Sequence, residues 1–343
     1  MKIKDHSLET LRGLAILLVV AGYIIRDDMG HGQHSIVGSG LRFIYYCLTP
    51  IRMPLFTVIS SYLYAASPAT RETFKKLVTG KARRIMIPFT VVSTIQYTFF
   101  SLAPVKEPMP LHEIYKIYLF PLDQFWFLYS IFWIFVIVGA MDSFKMLETP
   151  KKWLACLVIS TVLNVLWSPT RLFSIYGVNY LFPFFLMGYG IRRFPKNLFT
   201  RPLITAYLTA ALFSYAFYVF LYLRPSLPGP MEKIYKISGL CISYSMVPLI
   251  MHFRKNVPLF AKIGYYAFGI HIFNKISAAL PRLAFQYFHL TDEGLIFFVY
   301  MICAVIFSIG LQILMENFNF TRKFVLGIKE SPKKPVKDEL MPA

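Results

Sequence analysis

The stretch TLRGLAILLVVAGYIIRDD, Thr10 to Asp28, decides the fold, because a charged arginine opens an otherwise apolar segment and a tyrosine stands near its far end. Arg12 and Tyr23 are eleven residues apart. Eleven steps of about 100° return to nearly the same face of a helix, about 16 Å further along. One face of a first membrane helix therefore carries both groups, at opposite depths.

The rest of the chain has the same character. Of its 343 residues 56% are hydrophobic, 17% aromatic and only 15% charged, with a mean hydropathy of +0.54, which is the composition of an integral membrane protein. The formal charge of +19 does not point to nucleic acid, because the basic residues fall in short runs between long apolar segments. Cys47, Cys156, Cys241 and Cys303 lie within or beside apolar stretches without CxxC spacing, so neither a metal site nor a disulfide framework is indicated. No small-residue cleavage site follows the first apolar run, and the first helix is expected to be retained.

A hydrocarbon core about 30 Å thick needs about 20 mainly apolar residues per helix. That rule predicts an all-α bundle of about ten spans, roughly 7–25, 44–66, 85–104, 123–141, 152–169, 173–191, 203–222, 234–253, 258–281 and 294–316. The two terminal segments and every second connection together hold 25 of the 36 lysines and arginines, so both termini are expected inside. Residues 1–316 read as one transmembrane domain, and 317–343 as a basic cytoplasmic tail, largely disordered, whose internal KDEL is not terminal. The most basic internal connection, SPATRETFKKLVTGKARR (67–84), suits an anionic ligand or membrane lipid headgroup. The loop RDDMGHGQHS (26–35) on the other side is polar, nearly neutral and better suited to a sugar.

Six stretches in chain order resemble the acyltransferase-3 family of multispanning membrane O-acyltransferases: LRGLAILLVVAGY (11–23), RMPLFTVISSYLY (52–64), KARRIMIPF (81–89), FWFLYSIFW (125–133), NYLFPFFLMGYGIRR (179–193) and IGYYAFGIHIFN (263–274). The resemblance implies an enzyme of the bacterial inner membrane that takes an acyl group from cytoplasmic acyl-CoA, most simply acetyl-CoA. It passes that group to a hydroxyl of an envelope saccharide or lipid-linked saccharide, and no metal is implied. Arg12 matches the arginine of the family's first helix, and Lys81 and Arg84, with Arg83 between them, match the basic pair at the CoA end. The family's base is a histidine where this chain has Tyr23, and further histidines of the pattern are replaced by Arg52 and Asn274. A tyrosine with a reference pKa of about 10 is a poor base near neutrality unless a neighbouring cation favours its anion, and the resemblance places Arg52 there.

The candidate residues carry plainer readings as well. Arg12 also reads as an arginine snorkelling to the headgroups, Lys81, Arg83 and Arg84 as ordinary positive-inside residues, and Trp126 as an interfacial aromatic rather than a site-lining one. Arg52 is more telling, since a charge inside a span needs a partner or a watery cavity, with Asp27 and Asp28 as candidate partners and site-lining groups. His271, midway along the ninth span, is either a histidine satisfied inside the bundle or the replacement base, and His31 and His34 in the outer loop are further replacements. The sequence therefore points to an O-acyltransferase. A catalytically degenerate member that binds carbohydrate or a partner protein ranks second, and a transporter ranks last.

Overall fold

This computed structural model describes residues 5–25, 40–102, 110–223, 231–278, 281 and 292–328. The described residues are helical, without strands. In chain order the long elements are α1 (His6–Ile25), α2 (Gly40–Tyr64), α3 (Phe74–Leu102, with a π-helical turn at Ala82–Met86) and α4 (Phe125–Ser143). They continue with α5 (Pro150–Leu166), α6 (Ile175–Arg193), α7 (Arg201–Tyr222) and α8 (Met231–His252). The last are α9 (Pro258–Tyr265), α10 (Ala267–Ser277), α11 (Glu293–Asn317) and α12 (Asn319–Phe324).

Eight of the helices, α1 to α4, α6 to α8 and α11, are long and apolar enough to cross a membrane. Among the described residues, eight of the ten expected spans are thus single long apolar helices. The fifth, α5, has 17 residues, set at its start by the Thr149 hydroxyl accepting from the Lys152 N–H at 3.3 Å. The ninth is two helices, broken where Tyr266 leaves helical geometry at φ −92° and ψ 6°. Such a break strands the first N–H groups of α10 inside the bundle. One of them is recovered across the interface, where the Gly269 N–H donates to Gln312 Oε1 of α11 at 3.1 Å.

Prolines pose the same problem and receive the same kind of answer. Pro54 has no N–H for the Pro50 carbonyl, and Ser243 of α8 donates its hydroxyl to that oxygen at 2.5 Å. Pro183 likewise frees the Asn179 carbonyl, which accepts from Asn164 Nδ2 of α5 at 2.7 Å. These bonds tie α2 to α8 and α5 to α6. They exist because no water is at hand in the bilayer core to satisfy a stray carbonyl. The outer surface is apolar, with Leu212, Phe213, Phe298 and Ile306 all exposed, as suits contact with lipid.

The closest helix pair is α1 with α9. A Cβ at Gly13 would lie 2.0 Å from the Phe260 carbonyl oxygen, and one at Gly264 1.9 Å from that of Glu9, so two backbones meet across paired glycines. Gly264→Ala is accordingly expected to destabilise the purified protein by about 2–3 kcal/mol, the usual cost of overpacking, read by thermal unfolding in detergent. Gly310→Ala in α11, where an added methyl meets nothing within 4 Å, is the control and is expected to be neutral or slightly stabilising. Equal losses in the two variants would remove the close approach as the cause.

Arg254, after α8, reaches back to Asp5 (3.5 Å) and Ser7 (3.0 Å) at the start of α1. Arg192, at the end of α6, donates to the Tyr62 hydroxyl near the end of α2 at 3.1 Å. The start of α1 and the ends of α2, α6 and α8 therefore gather at one pole, the one rich in lysine and arginine. The chain continues past α11 at that pole. After α12, Val325 and Leu326 bury in the main core, so packing extends beyond 316 to Ile328, and 329–343 lie outside the described residues.

Candidate functional site

At the basic pole the expected donor residues have different surroundings. Arg12 is spoken for by its own helix, its Nη1 lying 3.0 Å from both carboxylate oxygens of Glu9. Lys81 turns inward, its Nζ 3.4 Å from the centre of the Phe135 ring, while Arg84 is exposed. Arg83 is half-buried, and its Nε is shut off from solvent without a hydrogen-bond partner. Near them an open cavity of about 660 Å³ is lined by Arg71, Lys145 and Arg193 against Asp142 and Glu148. The Tyr64 and Tyr189 hydroxyls donate to the two oxygens of Asp142 at 2.6 and 2.7 Å, which fixes that carboxylate in the wall.

Toward the other pole the structure places Arg52 directly on α1. Gly22 makes this possible: a Cβ there would lie 1.5 Å from Arg52 Nη1. The guanidinium therefore rests on the backbone next to Tyr23, donates from Nη2 to the Tyr45 hydroxyl at 3.1 Å, and leaves Nε buried without a partner. Among the described residues Arg52 has no carboxylate partner; Asp27 and Asp28, like His31 and His34, lie outside them.

The second cation at this level is Lys275 of α10. Its Nζ lies 5.5 Å from the centre of the Tyr23 ring and 3.7 Å from Asp123 Oδ2, with both side chains of the ion pair only 7% exposed. Asp123 sits at φ +33°, a left-handed conformation that an aspartate tolerates better than most residues. Gln124, beside it, donates from Nε2 to Gln96 Oε1 at 2.9 Å and leaves its own Oε1 buried and unpartnered, as is Gln96 Nε2. Tyr23, Lys275, Asp123, Gln124 and Gln96 thus form a chain of polar groups inside an apolar bundle, with Arg52 seated on α1 at Gly22, next to Tyr23 in sequence.

Two expected residues stand at its margin. His271 is buried, its Nε2 3.1 Å from the Gln124 carbonyl oxygen and its ring packed on Phe56 and Phe127. A carbonyl can only accept, so this bond makes Nε2 the protonated nitrogen. Asn274 donates to the carbonyls of Ile270 and His271 within its own helix and not into the cluster. Trp126 packs on Gly177 and Tyr180 of α6 rather than on Tyr23.

Asp123, Gln124, Gln96 and Lys275 are the members that sequence reading does not single out. Lys275 alone carries a signal, a lysine within an apolar span. Chemically, two buried cations beside a phenol and a carboxylate can stabilise a developing oxyanion and take up a proton.

The family model for the acyltransferase domain Acyl_transf_3 matches residues 5–313, which spans α1 to most of α11. No curated protein and no solved structure matches the chain.

Proposed function

Because this chain belongs to the acyltransferase-3 family, we propose that it transfers an acyl group, most simply acetyl from acetyl-CoA, to a hydroxyl of an envelope saccharide or lipid-linked saccharide. The observation that carries this reading is the concentration, at one level of the bundle, of buried polar atoms without a hydrogen bond among the described residues, Arg52 Nε, Gln96 Nε2 and Gln124 Oε1, beside Lys275 Nζ, which has only its 3.7 Å ion pair with Asp123. Each such atom costs about 1–3 kcal/mol when left unsatisfied, and a fold carries several together where a ligand or its transition state satisfies them.

In this reading the basic pole faces the cytoplasm of a bacterial inner membrane and holds the nucleotide of the donor, which satisfies the positive-inside bias. The thioester reaches the Tyr23 level, about three helical turns away. The acceptor hydroxyl oxygen attacks the thioester carbon, and the new oxyanion lies toward Lys275 and Arg52. Tyr23, in its anionic form beside those cations, takes the hydroxyl proton. Collapse of the tetrahedral intermediate breaks the C–S bond, and the proton passes to the departing thiolate. Asp123 holds Lys275 in place.

The test is mass spectrometry of envelope glycans from bacterial cells with and without the chain, together with ester formation in isolated membranes given labelled acetyl-CoA. An acetyl-sized difference that depends on the chain and is lost in Arg52→Gln is expected. Identical glycans and no label transfer would overturn the reading. One observation favours the second reading, a degenerate member that only binds: among the described residues the one imidazole at the cluster's margin, His271, is walled by Phe56 and Phe127. Under that reading the native chain transfers nothing and Tyr23→His creates activity.

A further inference from the structure

The chain beyond the family match carries a buried charge that no described residue neutralises. Arg322, in α12, is 5% exposed, yet its Nε and Nη1 are closed to solvent and have no hydrogen-bond partner. The turn that follows is closed by the Ile328 N–H donating to the Arg322 carbonyl at 3.0 Å, with the Thr321 hydroxyl donating to the Met315 carbonyl at 2.7 Å. Val325 and Leu326 anchor this hook in the same core as Ile85 and Phe89 of α3. Gly327, at φ +65°, presses against the π-helical turn, and a Cβ there would lie 2.7 Å from the Arg83 carbonyl oxygen and 2.8 Å from Arg84 Cα. Arg83, whose carbonyl meets Gly327, also keeps its Nε buried without a partner among the described residues.

Buried, unused guanidinium donors on both of the segments that meet at Gly327 are an expensive arrangement, and no carboxylate is paired with either among the described residues. A buried charge costs several kcal/mol unless paired. The Arg322 side chain is not needed to hold the hook, which Val325, Leu326 and backbone hydrogen bonds already hold. We infer that the seam between the hook Asn319–Ile328 and the π-helical turn Ala82–Met86 is a phosphate-ester site, with Arg322 as its buried anchor and Arg83 as a second donor. Guanidinium groups match phosphate oxygens with paired N–H donors. The phosphate belongs either to the nucleotide of the acyl donor, an assignment that rests on the function proposed above, or to an anionic lipid headgroup at the same pole.

Full-length protein in nanodiscs separates these. In neutral phosphatidylcholine discs, CoA is titrated into the native chain and into Arg322→Met. In a second arm, without CoA, the thermal midpoint is compared between phosphatidylcholine and phosphatidylglycerol discs. If the donor supplies the phosphate, Arg322→Met weakens CoA binding about tenfold or more. If the lipid supplies it, phosphatidylglycerol raises the midpoint of the native chain by several degrees and that gain is lost in Arg322→Met.

In either case the variant, having lost an unpaired buried charge, is as stable as the native chain or more so in neutral discs without CoA. Arg322→Met with a lower ligand-free midpoint and unchanged CoA and lipid responses would make Arg322 a structural residue and overturn the inference. So would a native chain that responds to neither phosphate source. A native chain that binds no CoA but shows the Arg322-dependent lipid effect keeps the seam and removes only the donor.

Discussion

Lys275→Met is expected to lower acyl transfer at least about 100-fold, the usual loss on removing one group that stabilises an oxyanion. The same change is expected to destabilise the protein, because Asp123 is left buried opposite an apolar side chain. Breaking a buried pair from one side costs about 3–5 kcal/mol. The two effects separate in the double variant. Asp123→Asn removes the stranded charge with the side-chain shape nearly unchanged, and asparagine accepts the left-handed conformation that Asp123 holds at φ +33°. Lys275→Met/Asp123→Asn is therefore expected to regain most of the lost thermal stability while transfer stays at the Lys275→Met level. Recovery of both would reduce the pair to a structural device and take Lys275 out of the transfer chemistry. Melting in detergent and label transfer from acetyl-CoA in membranes are the two readouts.

Most of the helices are legible in the sequence because a bilayer imposes one length rule. The expected 7–25 is His6–Ile25, and 123–141 is Phe125–Ser143. The ninth segment escapes that rule. Residues 258–281 are apolar for long enough to be one helix, and past Pro258 no proline interrupts them before Pro281. Its break at Tyr266 is held by partners far away in the chain, Gly13 on one side and Gln312 on the other, which no local pattern announces.

The site divides along similar lines. Arg52 is legible because a charge inside a span demands an explanation, and its place beside Tyr23 follows from Gly22, a residue that reads as an ordinary small one. Lys275 carries the same signal, diluted by its place near the end of the expected span. Gln96, an uncharged amide inside an expected span, and Gln124, at a helix start, carry less, since neither is charged and their meeting joins segments 28 residues apart. Arg322 is hidden for the opposite reason: it lies at the start of a polar, lysine-rich end of the chain, and only the return of α12 to the core buries it.

Gly22→Ala tests the site with a single methyl group and no change of charge. The new Cβ would lie 1.5 Å from Arg52 Nη1 and 2.6 Å from its Cζ, so the guanidinium has to leave the α1 backbone. The displaced atoms are the far end of a flexible side chain, and a helical position gains from alanine about what glycine costs, roughly 0.5–1 kcal/mol. Stability is therefore expected to change little. Function depends on position rather than on the presence of the charge. A misplacement of about 1 Å in a catalytic arrangement costs about 100-fold, so transfer is expected to fall to near the level of Arg52→Gln. Combining the two changes should then cost little more than either alone, because both remove the same guanidinium from the same place. Gly310→Ala, in open space on α11, should leave transfer at the native rate. A Gly22→Ala protein as active as the native chain would mean that Arg52 acts from elsewhere, and an additive double variant would mean that Gly22 serves the site by some route other than making room for Arg52.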